Sequence, residues 1–219
     1  MGKTCQTVLC LAPMAGITDW PMRVLCYRMG ADYACSEMVS AIGYLCAKPG
    51  NDAYRRLLAV HPEESNTACQ LFGKDPSVMG EAAAKVTALG RFTSLDINMG
   101  CPAPKIVSGG DGSALLKSPE LALRVAESVV KASPLPVSVK MRLGWDEERL
   151  VYMELGKALQ AAGVSMITLH ARTRNQMYGG HADWDAIGRL AGSLSIPVVG
   201  NGDVLGGQDA QDVPVAHHG

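Results

Sequence analysis

Two phenylalanines in 219 residues, no CxxC pair among seven cysteines and no excess of either charge are what this sequence most plainly lacks. The cysteines, at positions 5, 10, 26, 35, 46, 69 and 101, are odd in number and mostly set among apolar residues. That pattern argues against a disulfide framework or a metal site and for reduced thiols in a cytoplasmic protein. Pro, Gly or charge breaks each apolar stretch well before the roughly 18 to 20 residues that a membrane helix needs, so neither a span nor a membrane partner is expected. The opening MGKTCQTVLCLAPMAG carries one Lys and an apolar run that stops at Pro13 without a cleavage site, so no secretory signal is read. Gln6 stands where myristoylation requires Ser or Thr. Twenty basic residues against 21 acidic give a net charge of −1, so RNA or DNA would need a local patch to be attracted.

What is present is 47% apolar and 19% charged sequence, enough for one ordinary domain with a sizeable core, built from small and aliphatic side chains. Short apolar runs, each followed by a glycine-rich or polar loop and then a helix, recur about every 31 residues, the length of a βα unit. The predicted strands are 7–11, 33–36, 67–71, 94–98, 136–141, 165–170 and 196–200. Asp19 before Trp20-Pro21, Asp75 before Pro76 and Ser118 before Pro119-Glu120 mark helix starts. Gly30, Gly90 and Gly163 mark helix stops, and Glu147–Ala162 reads as one helix. Chemistry after nearly every strand favours a (β/α)8 barrel over a doubly wound sheet. The spacing puts the eighth strand beyond the last residue, so the expectation is a TIM-type barrel of about seven βα units, C-terminally incomplete. Residues 1–207 form that partial barrel, and 208–219 form an atypical tail.

Several strand ends carry chemistry. Ala12-Pro13-Met14-Ala15-Gly16 offers small residues and a fixed proline, which suit either a flat ligand or a plain turn. Gln70, in CQLFG, is either an amide at the barrel mouth or a solvated strand end. Asp96-Ile97-Asn98-Met99-Gly100-Cys101-Pro102 delivers Asn98 and Cys101 to the same mouth. Six cysteines read as core fillers and Cys101 does not. A thiol with an ordinary pKa of about 8.5 is mostly protonated near neutrality, so an exposed Cys can serve as an acid or a nucleophile, or be a small hydrophobe before a turn. Alternation turns Lys140 and Arg142 to one side of their strand, and a cation inside a barrel needs an anionic partner. His170, Arg172 and Arg174 suit a phosphate or a polarised carbonyl, or form a solvated basic loop. Asn201 and Asp203, around Gly202, suit sugar hydroxyls or a tight turn. In a parallel barrel all of these gather round one opening.

In this order and spacing, APMAGITD, CQLFG, NMGCPAPKIV with GDGSALL, VKMRLGW, LHARTRNQMYGGHADW and PVVGNGDV resemble the tRNA-dihydrouridine synthase family over about residues 8 to 207. NMGCP with a later HARTR is the specific part, since GNGDV occurs in other flavin barrels. The resemblance implies an FMN-binding barrel, a following helical tRNA-holding domain that this sequence lacks, NADPH (or NADH) as electron donor, and tRNA as partner, with no obligate protein partner. It implies that Pro13, Met14, Ala15 and Gly16 line the flavin, Gln70 bonds its ring edge, Lys140 lies beside its N1/C2 carbonyl region, and His170 helps hold it. Asn201, Gly202 and Asp203 would meet the ribityl–phosphate arm, and Asn98 and Arg172 would orient the uracil. Lys105, Arg142, Arg172 and Arg174 would be available to a uridine flipped out of the RNA stack. Hydride would pass from reduced FMN to C6 of the uracil and a proton from Cys101 to C5, giving 5,6-dihydrouridine. After Gly207 the sequence QDAQDVPVAHHG departs from the family's pattern of helix, eighth strand and phosphate loop. An inactive truncated remnant is therefore one alternative, and an FMN barrel acting on a free pyrimidine, as in dihydroorotate dehydrogenases, is another.

Overall fold

A computed structural model of the chain describes residues 8–207 and 209. Residue 7 of the expected first strand, Cys5, and the rest of the tail lie outside these. In chain order the elements are β1 (Cys10–Leu11), α1 (Trp20–Arg28), β2 (Tyr33–Cys35), β3 (Val39–Ser40), α2 (Ala41–Cys46), α3 (Asp52–Leu57), β4 (Thr67–Phe72) and α4 (Pro76–Thr87). Then follow β5 (Ser94–Met99), α5 (Pro104–Ser108), a 3-10 turn (Gly112–Lys117), α6 (Pro119–Ala132), β6 (Val137–Arg142), α7 (Tyr152–Ala161), β7 (Met166–His170), α8 (Trp184–Ser193) and β8 (Val198–Asn201). The strands form one sheet in the order β1-β2-β4-β5-β6-β7-β8, with β3 added beside β4. Every pairing is parallel, as strands joined by crossover helices must be. β1 and β8 end this path without pairing to each other among the described residues. This is a (β/α)8-type barrel left incomplete, as the strand spacing predicts.

Alternation along the strands sorts the side chains. Leu95, Ile97 and Met99 of β5 and Val137, Val139 and Met141 of β6 point one way, into the hydrophobic core. The core is closed by helix faces with three- and four-residue spacing: Met79, Ala82, Ala83 and Val86 of α4, and Ala122, Val125, Ala126 and Val129 of α6. The intervening residues, Asp96, Asn98, Ser138, Lys140 and Arg142, take the other face, and register sets Asp96 beside Ser138 and Asn98 beside Lys140. One sheet therefore carries an apolar outer face and a polar inner one.

The capping signals act as the sequence suggests, with one exception. Asp19 accepts from the Met22 N–H, and Asp75 from Ser77 and Val78 N–H. Ser118 makes no such bond, and Pro119 alone opens α6. Gly30, Gly90 and Gly163 follow their helices with φ of 101°, 62° and 91°. The helix expected over Glu147–Ala162 begins only at Tyr152. Its first residues fold back instead: Gly144 bridges Leu150, Trp145 N–H donates to Arg149 O, and Tyr152 N–H donates to Leu143 O. A Cβ on Gly144 would lie 1.9 Å from Arg149 O, so only glycine admits this return of the chain. No described helix is long and apolar enough to cross a membrane.

Candidate active site

β5 is the axis of the site. Asp96 and Asn98 project inward beside Gln70 of β4 and Ser138 of β6, and all four are buried. Gln70 Nε2 donates to Asp96 Oδ2 at 2.7 Å, and Ser138 Oγ donates to Asp96 Oδ1 at 2.6 Å. Asn98 Nδ2 donates to Gln70 Oε1 at 2.8 Å. Gln70 is thus a buried member of a polar network, only 1% exposed, and the reading of a solvated strand end is corrected. Burial pushes the Asp96 carboxyl up to about 6, against the hydrogen bonds from Gln70 and Ser138 that favour its charge.

Lys140 stands one register step away, its Nζ donating to Asn201 Oδ1 at 3.0 Å. Burial brings its pKa down to about 8, while the Asp96 charge opposes that fall. The half-buried charge inside the barrel therefore has a carboxylate neighbour, as a partly desolvated cation requires. Lys140 and Asp96 also border a cleft, which Leu11, Ala12 and Pro13 enter from the β1 side and Gly200 and Asn201 from the β8 side. Pro13 is half-buried there, and Met14, Ala15 and Gly16 are exposed. Thr18 holds their loop: its Oγ1 accepts from Met14 N–H at 3.0 Å.

Cys101 follows β5 and is half-buried. Asn98 Oδ1 accepts from its N–H at 2.9 Å and from Gly100 N–H at 3.2 Å. Its carbonyl takes Ser113 Oγ at 2.9 Å and Ser113 N–H at 3.1 Å. Gly112, at φ 59°, passes so close that a Cβ there would lie 2.9 Å from Cys101 O. Cys35 and Cys69 are core residues and Cys10 and Cys26 are half-buried, but Cys46 is exposed, contrary to its reading as a core filler.

The basic residues divide into committed and open ones. Arg142 binds backbone through two of its three nitrogens: Nε donates to Gly100 O, and NH1 to Thr173 O and Met177 O. Arg172 is buried against Asp203, with NH2 reaching both carboxylate oxygens at 2.7 and 2.9 Å and also Gly180 O. Asp203 further accepts from Ala182 N–H, so these contacts hold its carboxyl below the usual range. Arg142 and Arg172 thus brace the loops after β6 and β7. Lys105 lies exposed on α5. Arg174 sits over the Trp145 ring at 4.6 Å, joined there by Lys117 at 3.6 Å, and its Nε is without a partner among the described residues.

His170 is nearly buried, and its pKa falls to about 3 because of that burial and the charges of Arg142, Lys140 and Arg172. It is neutral at physiological pH. Arg172 NH1 lies 3.3 Å from its Nε2, and a guanidinium only donates, so Nε2 accepts and Nδ1 carries the proton. Gly202 has φ 111°, and a Cβ there would meet the His170 ring at 3.1 Å. Among the described residues no group of three or more His, Cys, Asp or Glu side chains is placed to hold a metal ion.

Sequence reasoning passed over Asp96, Ser138, Ser113, Lys117 and Trp145. Asp96 carried a readable signal, a charge two residues from Asn98 in an otherwise apolar strand. Ser113 carried none.

Comparison with known proteins fits this arrangement. A solved structure titled a putative lyase/mutase from Burkholderia cenocepacia superposes with a TM-score of 0.61 at 12% identity, covering 97% of this chain and 75% of that one, a likeness of fold alone. A probable tRNA-dihydrouridine synthase of Rhodobacter capsulatus is 47% identical over 92% of this chain and 61% of its own length. That of Rhizobium leguminosarum is 41% identical over 93% and 62%, and the tRNA-dihydrouridine synthase B of Pseudomonas aeruginosa 39% over 96% and 62%. The chain thus spans about three fifths of the length of these curated relatives. Residues 10–218 match the family described as Dihydrouridine synthase (Dus), and the chain belongs to that family.

Proposed function

We propose that this chain is the catalytic barrel of an oxidoreductase that reduces uridine in tRNA to 5,6-dihydrouridine, using FMN recharged by NADPH (or NADH). The observation that carries the reading is the juxtaposition of a half-buried thiol, pinned through its own backbone by Asn98, with the half-buried Lys140 that stands in register with Asn98 at one end of the barrel. The residues around the cleft suit a flavin: Pro13 and Gly200 line it with little side-chain bulk, and Lys140 supplies a desolvated cation for a carbonyl edge. Neutral His170 offers an Nδ1–H donor, and Gly202 clears the space beside it. FMN, when bound, supplies the hydride that C6 of the uracil receives.

The other roles belong to side chains. Cys101 holds the proton that goes to C5, as a general acid. Asn98 keeps the Cys101 loop in place and would orient the base. Gln70 has one Nε2–H committed to Asp96, so the other is the donor it can offer to a flavin edge. Asn201 lines the β8 side of the cleft, and Gly202 and the Arg172-bound Asp203 follow it as the residues that would meet the ribityl–phosphate arm. Lys105 and Arg174, with Lys117, are the open basic groups for RNA phosphates, while Arg142 and Arg172 act through the loops they brace. A stacked uridine must be flipped to reach such a cleft.

The test uses the chain alone and joined to the C-terminal region of the Rhodobacter capsulatus relative. Unmodified tRNA, FMN and NADPH are supplied, and dihydrouridine is measured by mass spectrometry of the digested nucleosides. Flavin-dependent dihydrouridine from the joined protein is expected. A flavin-loaded protein that reduces free pyrimidines but not tRNA would transfer the barrel to the dihydroorotate-dehydrogenase-like reading.

A further inference from the structure

We propose that Asp96 is a positioning residue whose carboxylate sets the direction of a hydrogen-bond relay ending at the backbone of Cys101. The inference rests on the reading of Cys101 as proton donor for its consequence, though not for its geometry. Five groups stand in line: Ser138 Oγ, Asp96, the Gln70 amide, the Asn98 amide, and the N–H groups of Gly100 and Cys101.

The direction follows from what each group can give. An ionised carboxylate only accepts, so Gln70 must turn its Nε2 toward Asp96. Its Oε1 then faces Asn98, which must answer with Nδ2. With Nδ2 so committed, Asn98 presents Oδ1 to the two N–H groups, the sole arrangement that satisfies them. Were the acceptor at position 96 lost, Gln70 could reverse, and its NH2 would then confront the NH2 of Asn98. Asn98 reversing in turn would set donor against donor at Cys101. Gln70 is 1% exposed, Asp96 4% and Asn98 8%, so solvent is poorly placed to repair a mismatch, and an unpaired buried group is costly. The Asp96 carboxyl, though raised to about 6, remains mainly ionised at neutral pH.

The relay is tested by hydrogen exchange at Gly100 and Cys101, read by mass spectrometry on the flavin-free protein. Asp96→Leu removes the acceptor and is expected to speed exchange there about fivefold, the weight of one net hydrogen bond. Asp96→Asn can still turn an oxygen to Gln70 and is expected to stay within about twofold of the parent. Gln70→Met cuts the line one link later. It gives the fivefold change by itself, so the test survives if Asp96→Leu does not fold. Adding Asp96→Leu to Gln70→Met then changes nothing further, whereas two residues acting separately would multiply their effects. Parent-like exchange in Gln70→Met, or a second fivefold step on adding Asp96→Leu, overturns the relay. No turnover enters this measurement, so its failure leaves Cys101 as proton donor untouched. Conversely, a Cys101→Ala variant that still reduced tRNA would refute the donor and leave the relay standing.

Discussion

Two opposite charges share the barrel interior, and each is held away from its ordinary titration range by burial. Lys140, brought down to about 8, keeps its proton at neutral pH at a cost that an anionic or carbonyl-bearing ligand would offset. Lys140→Met keeps the volume and removes the charge. It is expected to weaken FMN binding at least tenfold, the effect of losing about 1.4 kcal/mol of charge-assisted contact. Fluorescence titration with FMN measures this, and an unchanged affinity would move Lys140 out of the cofactor site. Asp96 makes a pH prediction. Its folded pKa of about 6 exceeds the ordinary 3.8, so the native state holds the extra proton between those values and this group's contribution falls as pH rises through them. Relative to Asp96→Asn, the parent should lose about 2 kcal/mol of stability between pH 4 and pH 7. Urea denaturation of the pair at fixed protein concentration reads the difference, and parallel profiles would contradict the burial of a charged Asp96.

The elements show which signals are local. Asp19, Asp75 and the prolines after them announce helices because a cap is satisfied within one turn, and alternating apolar residues announce β5 and β6 because a sheet face repeats every second residue. The two-residue β3 has no pattern long enough to read. The late start of α7 escaped because Asp-Glu-Glu-Arg suits a helix, while the Gly144–Leu150 bridge that overrides it depends on a contact across the turn. Site residues divide the same way. Gln70, Asn98 and Lys140 are legible as polar residues on inward strand positions, whereas the commitment of Arg142 and Arg172 to carbonyls in other loops is not local to their own sequence. Glycines sharpen the point. Gly112→Ala places a Cβ against Cys101 O at a left-handed φ and should cost about 1–3 kcal/mol while slowing dihydrouridine formation. Gly192→Ala, in α8 with open space around its Cβ, should instead raise stability by up to about 1 kcal/mol. Thermal denaturation of the two variants checks both signs.

At the scale of the molecule, the described sheet has two free edges. β1 is two residues long and follows Val8 and Leu9, which are 63% and 45% exposed, and the segment after β8 carries Leu205, which is 92% exposed. Unpaired N–H and C=O groups next to apolar side chains recruit other chains. The 219-residue polypeptide should therefore associate as its concentration rises, and the eighth βα unit of a relative, added to it, should suppress that association. Sedimentation velocity over a concentration series decides, with a cooperatively unfolding monomer as the contrary result. The central claim concerns chemistry, and it separates into two half-reactions. With the joined protein, FMN reduction by NADPH is followed at its absorbance band and dihydrouridine is counted in the tRNA, for the parent and for Cys101→Ala. The account predicts unchanged flavin reduction and a fall of about 10²–10⁴-fold in dihydrouridine formation. Equal dihydrouridine from both proteins would contradict it.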